Sequence, residues 1–550
     1  MARIEYETQR LSFRFFMVML VLFFFQAAFG LLLAAQHIDP SLLAGTLNFN
    51  VVRAEHTNLG ILWVLSGFIG TILFVGPLLS KRELVAPWLI KVLFYALIAV
   101  VVWNVGTQVL AQKGIAGWWM GQPMLQEGLE YLEAGRIADI VIFIGFAILC
   151  YVVWRSFPPI SKWNEIHWGL GIGVLALTAV WLFGVFFTER LDLQEYFRWY
   201  VVHYWVEGVW EVIHISLVGF LLVLMFKADI KAVGYAVFWG VSMVWLSGLL
   251  GNAHHYFWIG TPEFWQFWGS LFSALEPLPL IFCFWHIYLD AHQDHQPISN
   301  VPAFAFLLGS VVLEQVGAGI LGFSMTFALT NVWSHGTWVT LSHAHLALFG
   351  TFGMLGLSAA YYVVPLMRKK LDFDQRPGRL AFWLSFSGML GLAFSFAIGG
   401  TVQVFVYRTL GLDWFGGDVG PAMLFSKALV PIFGLVFLSG VGLLVYDLLT
   451  MGKRAQLLSA EQTAIPVPPR EGWGRQLSGW ETGLWLLAMW IFGGIITIGL
   501  LSFNLNTVQQ GNATLPYVMG SVGYTGLFLV TVLFVRRFLR SLEARGHAAA

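Results

Sequence analysis

The sequence predicts an all-α membrane protein of about fourteen transmembrane helices, and three observations carry that reading. Of 550 residues, 58% are hydrophobic and 11% charged, whereas a soluble globule has about a quarter of its residues charged. Apolar runs of about 18 residues or more, each long enough to cross about 30 Å of hydrocarbon, recur from end to end. Basic residues are unevenly divided among the segments between the runs.

The expected spans lie near 12–36, 57–79, 86–108, 137–155, 168–188, 197–226, 229–255, 264–288, 299–325, 338–366, 378–403, 421–448, 477–503 and 515–537. The first is too long for a cleavable signal and lacks a small-residue cleavage site. With the N-terminus inside, 21 of the 30 Lys and Arg residues fall on the inner side, including "RKK" at 368–370 and "RRFLR" at 536–540. Six fall outside: Arg53, Lys113, Arg136, Arg190, Arg198 and Arg408. Basic residues are retained in the cytoplasm, so both termini are expected there, in a bacterial-type inner membrane. The formal net charge of zero points to no charged partner, and no nucleic acid is expected.

Residues 1–450 form the expected main bundle. The polar, Pro-rich stretch 451–476, with "IPVPPREGWGR", reads as a cytoplasmic linker, and 477–550 as two further helices and a basic tail. Between the third and fourth spans lies an aromatic and acidic outer loop carrying "EGLEYLE".

Two cysteines, Cys150 and Cys283, sit in different expected spans, and there is no C-x-x-C-H and no thiolate cluster. Both read as small buried apolar residues, and any redox cofactor must be held by histidine. The sixth span contains "VVHYWVEGVWEVIH", with His203, Glu207, Glu211 and His214 spaced four, four and three apart, on one face of an α-helix. An ionisable group at membrane depth costs about 2.5–3.5 kcal/mol, so four on one stripe need a partner, and a metal suits them. The seventh span ends in "GNAHHYFWIG", offering His254 and His255. His56 opens the second span, and His343 and His345 stand early in the tenth. The deduced topology puts all six histidines in the outer half of the membrane.

Residues i and i+2 of an α-helix are about 200° apart, so His343 and His345 face opposite flanks and suit two haems rather than one metal. A six-coordinate haem would draw its second axial ligand from His56. A five-coordinate haem on the other flank would face His203, Glu207, His254 and His255.

In "HTNLGILW", "HYWVEGVWE", "GNAHHYFWIG", "SALEPLP" and "HGTWVTLSHAHLALFG" the chain resembles the large catalytic subunit of cytochrome-c-type nitric oxide reductase, within the haem–copper oxidase superfamily. The similarity runs through about 10–450 and is densest over 195–366. The resemblance implies a subunit I-like bundle of twelve helices, extended here by two. It implies a low-spin haem b on His56 and His345, a high-spin haem b3 on His343, and a non-haem iron on His203, His254, His255 and Glu207. The activity implied is reduction of two NO to N2O and water. Glu211 and Glu276 are implied to hydrogen-bond near the site or relay protons. Glu130 and Glu133 match an acidic pair implicated in calcium binding and proton entry. His335 and Arg53 are weaker candidates for pairing with haem propionates.

Glu207 argues against the oxygen-reducing relatives, which place a tyrosine four residues after that first histidine. A carboxylate is a hard ligand that favours iron over copper. An oxygen reductase, or another NO-converting member of the superfamily, is the alternative; a histidine-lined transporter without redox function is a third reading. His214 and Glu314 depart from the family pattern and are expected to form either local hydrogen-bonded pairs or an altered proton route. No electron donor is encoded, so electrons are expected from a membrane-anchored cytochrome c subunit, or alternatively from quinol or a copper-cluster subunit.

Overall fold

In the computed structural model the chain is described over residues 4–113, 135–185, 188–226, 228, 230–278, 281, 300–369, 373–412, 419–451 and 479–546. Within these residues the protein is helical throughout, without a strand, and thirteen helices are long and apolar enough to cross a membrane. In chain order with one shorter helix they are α1 (Glu7–Gln36), α2 (Phe49–Ser80), α3 (Pro87–Gln112), α4 (Arg136–Ser156), α5 (Glu165–Val185), α6 (Leu191–Met225), α7 (Val233–Tyr256), α8 (Glu263–Leu275), α9 (Val301–Met325), α10 (Trp338–Met367), α11 (Arg376–Thr409), α12 (Leu424–Thr450), α13 (Glu481–Asn504) and α14 (Thr514–Arg540). The difference from the expected fourteen spans lies at the eighth. There α8 ends at Leu275, capped by Glu276, and most of 279–299, with Cys283, lies outside the described residues, as do Glu130, Glu133 and nearly all of the linker.

Side-chain chemistry sets the helix starts. Asn48 accepts a hydrogen bond from the Val51 amide at 3.0 Å and opens α2. Asn300 does the same for Ala303 at the head of α9, and Thr337 for Val339 at the head of α10. Each cap satisfies an amide that the first turn leaves without a partner.

Burial divides the helices into two classes. The apolar windows of α2, α9 and α10 are each 89% buried and that of α6 83%, against 33% for α1, 22% for α3 and 33% for α12. The inner class carries four of the six singled-out histidines, so the imidazoles are shielded by an outer layer rather than left to lipid. Inner and outer helices approach closely through glycine. A Cβ on Gly388 of α11 would stand 2.6 Å from the Phe437 amide of α12, and one on Gly440 of α12 would stand 2.5 Å from the Ser385 amide of α11. Such reciprocal small residues let backbones touch where lipid offers helices no hydrophobic drive to associate.

The two C-terminal helices pack onto the bundle. Thr497 of α13 donates to Ser324 Oγ of α9 at 3.1 Å, Trp490 meets Phe323 edge-on, and Phe528 of α14 meets Phe394 of α11.

Candidate metal centre

Helix α6 changes winding where its polar residues begin. Leu191–His203 is α-helical, Tyr204–Trp210 is π-helical, and the α-helix restarts at Glu211. This corrects the expectation of one uninterrupted α-helical stripe, because i→i+5 hydrogen bonding widens the turn and rotates the residues beyond it. His203 and Glu207 stay together, Nδ1 to Oε2 at 3.3 Å. Past the wide turn, His214 Nδ1 stands 3.1 Å from Glu314 Oε1 of α9, and Glu211 lies between Glu314 and Glu207, feeling both charges.

His203, Glu207, His254 and His255 converge, one ligand atom from each lying within 4.8 Å of the others. Second partners fix which atoms face inward. His203 Nε2 lies 3.1 Å from the Gly248 carbonyl, which puts its proton there and frees Nδ1. His254 Nδ1 is held by Ser273 Oγ at 2.6 Å, freeing Nε2. His255 Nε2 lies 3.1 Å from His203 Nδ1, and its ring is stacked on Trp199 at 4.5 Å and 7°. Metal bonds of about 2.0–2.2 Å put adjacent ligand atoms about 3–3.5 Å apart, the spacing found along the His203 edges. Three imidazoles and one carboxylate so arranged fit a metal ion.

Glycine makes the approach possible. A Cβ on Gly248 would stand 2.8 Å from Gly208 Cα and 2.9 Å from the Glu207 carbonyl, and one on Gly269 would stand 2.5 Å from the His254 amide. The first contact brings α7 onto the π-turn. The second brings α8 onto the His254 turn, so that Ser273, one turn later, reaches the imidazole.

His343 and His345 point to opposite flanks of α10. His343 Nδ1 meets the Gly317 carbonyl of α9 at 2.8 Å, and its ring lies close enough to Glu207, His254 and His255 to interact with them electrostatically, so it faces the cluster. His345 turns to α2 and α11, its ring 4.9 Å from Phe396 and 6.0 Å from that of His56, at an interplanar angle of 27°. Iron–nitrogen bonds of about 2 Å on either face of a haem would set axial imidazole centroids about 6 Å apart. The Nδ1 atoms of His345 and His56 meet the carbonyls of Leu341 and Gln26, at 2.8 and 2.9 Å. All three rings thus place Nδ1–H on backbone, leaving Nε2 as the basic atom. The residues present fit two haems and one metal.

Around this centre, Glu276 is buried beside Glu207, with Ser247 Oγ donating to it at 3.4 Å. His335 stacks on Trp258 at 5.5 Å, and its carbonyl accepts from Arg408. Burial and then the Arg408 charge hold the His335 imidazole below its ordinary 6.5. Arg53 is half-buried near the head of α2. Sequence reading missed Ser273, Gly248 and Trp199. Ser273 opens the motif "SALEPLP", and Trp199 stands four residues before His203; the carbonyl of Gly248 left no signal.

Residues 10–419 match the family model described as cytochrome c and quinol oxidase polypeptide I. The chain is 30% identical over 450 residues to a nitric oxide reductase subunit of Stutzerimonas stutzeri, covering 80% of this chain and 93% of that one. A heme-copper terminal oxidase dimer solved by cryo-EM is similar in fold, with TM-score 0.66 at 12% identity over 97% of this chain and 100% of that one. The chain therefore belongs to the haem–copper oxidase subunit I family of multi-pass membrane oxidoreductases, as a homologue of the nitric oxide reductase large subunit.

Proposed function

We propose that the protein reduces nitric oxide, 2 NO + 2 e⁻ + 2 H⁺ → N2O + H2O, at a haem b3 and a non-haem iron, with electrons passing through a low-spin haem b. The observation that carries this reading is Glu207, which closes the three-histidine cluster with a carboxylate. A hard anionic oxygen donor suits iron better than copper and offers no phenol for O–O cleavage. His203, His254, His255 and Glu207 hold the iron, His343 the high-spin haem, and His56 with His345 the low-spin haem. When bound, the two irons supply adjacent sites and redox equivalents for two NO molecules.

The chain's own groups do the rest. Gly248, Ser273 and Trp199 orient the imidazoles before any metal arrives, so little rearrangement accompanies binding. Glu207 supplies a negative charge that balances the cation in a low-dielectric site. Glu276, buried against Glu207, and Glu211, one stage further along α6, hold or pass the two protons. His335 and Arg53 are proposed to meet haem propionates, and Glu130 and Glu133 to bind calcium. Electrons come from a membrane-anchored cytochrome c subunit, with quinol or a copper-cluster subunit as the alternative donor. The enzyme sits in the inner membrane with both termini cytoplasmic.

The test is metal analysis and gas chemistry on the purified enzyme: two haems b, one further iron, and N2O formed from NO under an artificial reductant. Copper stoichiometric with the haem pair, or oxygen reduction without N2O formation, would favour the oxygen-reductase alternative.

A further inference from the structure

Further along α6 than the metal cluster lies a second buried group of ionisable side chains. His214 is 1% exposed and Glu314 4%. His214 Nε2 is 2.8 Å from Ser310 Oγ, and Nδ1 is 3.1 Å from Glu314 Oε1. Ser310 has one hydroxyl proton and donates it to the Thr351 carbonyl at 2.5 Å. Its oxygen must then accept from His214, which fixes a proton on Nε2. Nδ1 and Glu314 Oε1 face each other at ion-pair distance without a hydrogen bond to each other or to any other described group, so the pair can hold one proton, on the carboxyl group beside neutral imidazole or on Nδ1 beside carboxylate.

Glu314 is the carboxyl group that bears most strongly on Glu211, ahead of Glu207, and Glu207 and Glu211 both bear on Glu276. The acids thus form a series from Glu314 through Glu211 to the metal cluster. Beside them Glu211 Oε2, Trp210 Nε1, both amide atoms of Gln315 and Thr351 Oγ1 are buried without a hydrogen-bond partner among the described residues. Buried polar atoms in such number are satisfied by ordered water, and water carries protons between carboxyl groups that do not touch. Packing gives no reason for the pair, since burying two ions costs several kcal/mol each and an apolar pair of like volume would fill the space.

Three helices agree on direction. His214 is eleven residues beyond His203 on α6, about 15 Å along the axis. Thr351 is eight residues beyond His343 on α10, and Ser310 precedes Glu314 on α9, which runs back toward the cluster.

We propose that His214 and Glu314 form a proton-transfer station that feeds Glu211, and through it the carboxylates of the metal cluster, from the side of the bilayer opposite the cluster. The proton held by the His214–Glu314 pair leaves to Glu211 through water; its N–H or O–H bond on the pair breaks, an O–H bond forms on Glu211 and the negative charge moves to Glu314. A solvent proton arriving past Ser310 and Thr351 restores the pair, while Nε2–H stays on Ser310.

This rests on the reading of the cluster as a site that consumes protons, and the experiment separates the two. The iron-loaded enzyme is placed in vesicles with its orientation fixed by protease accessibility, and is driven by a reduced dye with NO. Dyes inside and outside report where protons disappear. Wild type should consume protons from the compartment facing away from the cluster. Glu314→Gln and His214→Leu should slow turnover about 100-fold while keeping haem spectra and iron content. Should His214→Leu not assemble, Glu314→Gln alone carries the kinetic test. Uptake from the cluster side, or a Glu314→Gln rate within about twofold of wild type, would overturn the proposal. If wild type consumes no NO, the functional reading fails, and infrared difference spectra on reduction, which need no substrate, decide for the pair. A carboxylic acid band lost in Glu314→Gln supports it; no such band refutes it.

Discussion

His203 and Gly248 are tied across two helices, imidazole Nε2 to backbone carbonyl at 3.1 Å, and this single contact turns Nδ1 toward Glu207. The tie exists because Gly248 lies directly on Gly208. Gly248→Ala should therefore push α7 off the π-turn, an overpacking cost of about 1–3 kcal/mol. It should lower non-haem iron affinity about 10- to 100-fold and leave the low-spin haem spectrum intact. Iron titration of the purified variant measures this; unchanged affinity would show that the tie does not orient the ligand.

Glu207→Gln should lose non-haem iron and with it nearly all NO reduction, because a neutral amide leaves the cation's charge uncompensated in low dielectric. Glu276→Gln should keep its iron and slow turnover about 10- to 100-fold. Iron content and NO consumption on both variants check it. A Glu207→Gln enzyme that retained iron and most of its rate would replace the four-ligand site with three histidines and a free carboxylate.

His345→Ala and His56→Ala should each remove the low-spin haem spectrum, whereas His343→Ala should spare it and abolish catalysis. Gly30→Ala is the gentler probe. Its Cβ would stand 2.7 Å from His56 Cε1, tilting the ring and shifting the low-spin bands without deleting a ligand. Optical spectra of the four variants decide whether the two flanks of α10 have been assigned correctly.

Burial and Arg408 hold His335 below 6.5, so the folded protein binds a proton there less readily than the unfolded chain. As pH falls from about 6.5 toward the lowered value, the unfolded state gains protons first and stability is lost. In the haem-free protein, where no propionate faces the ring, His335→Gln should therefore lose less Tm than wild type between about pH 6.5 and 5. Parallel Tm curves would mean that His335 titrates alike in both states.

The membrane class, most of the helices and the residue types of the centre were legible in the sequence, for local reasons. Span length and composition are properties of contiguous residues, and the i, i+2 relation of His343 and His345 follows from helix geometry alone. The same geometry misled at α6, where the spacing predicts a regular α-helix through Tyr204–Trp210 but the segment, packed against α5 and α7, takes the wider π-turn.

What only the tertiary structure decided is which atom of each ring is free and which acids meet. Those depend on partners far apart in the chain: Gly248 for His203, Ser273 for His254, Gly317 for His343 and Gln26 for His56. Most are backbone carbonyls, which every residue type carries and no sequence pattern marks. His214 and Glu314, a hundred residues apart, stood out separately as acids and bases at membrane depth. That they meet follows only from the tertiary structure, in which the His214 side chain of α6 reaches Ser310 and Glu314 of α9, with Ser310 committing its own proton to Thr351.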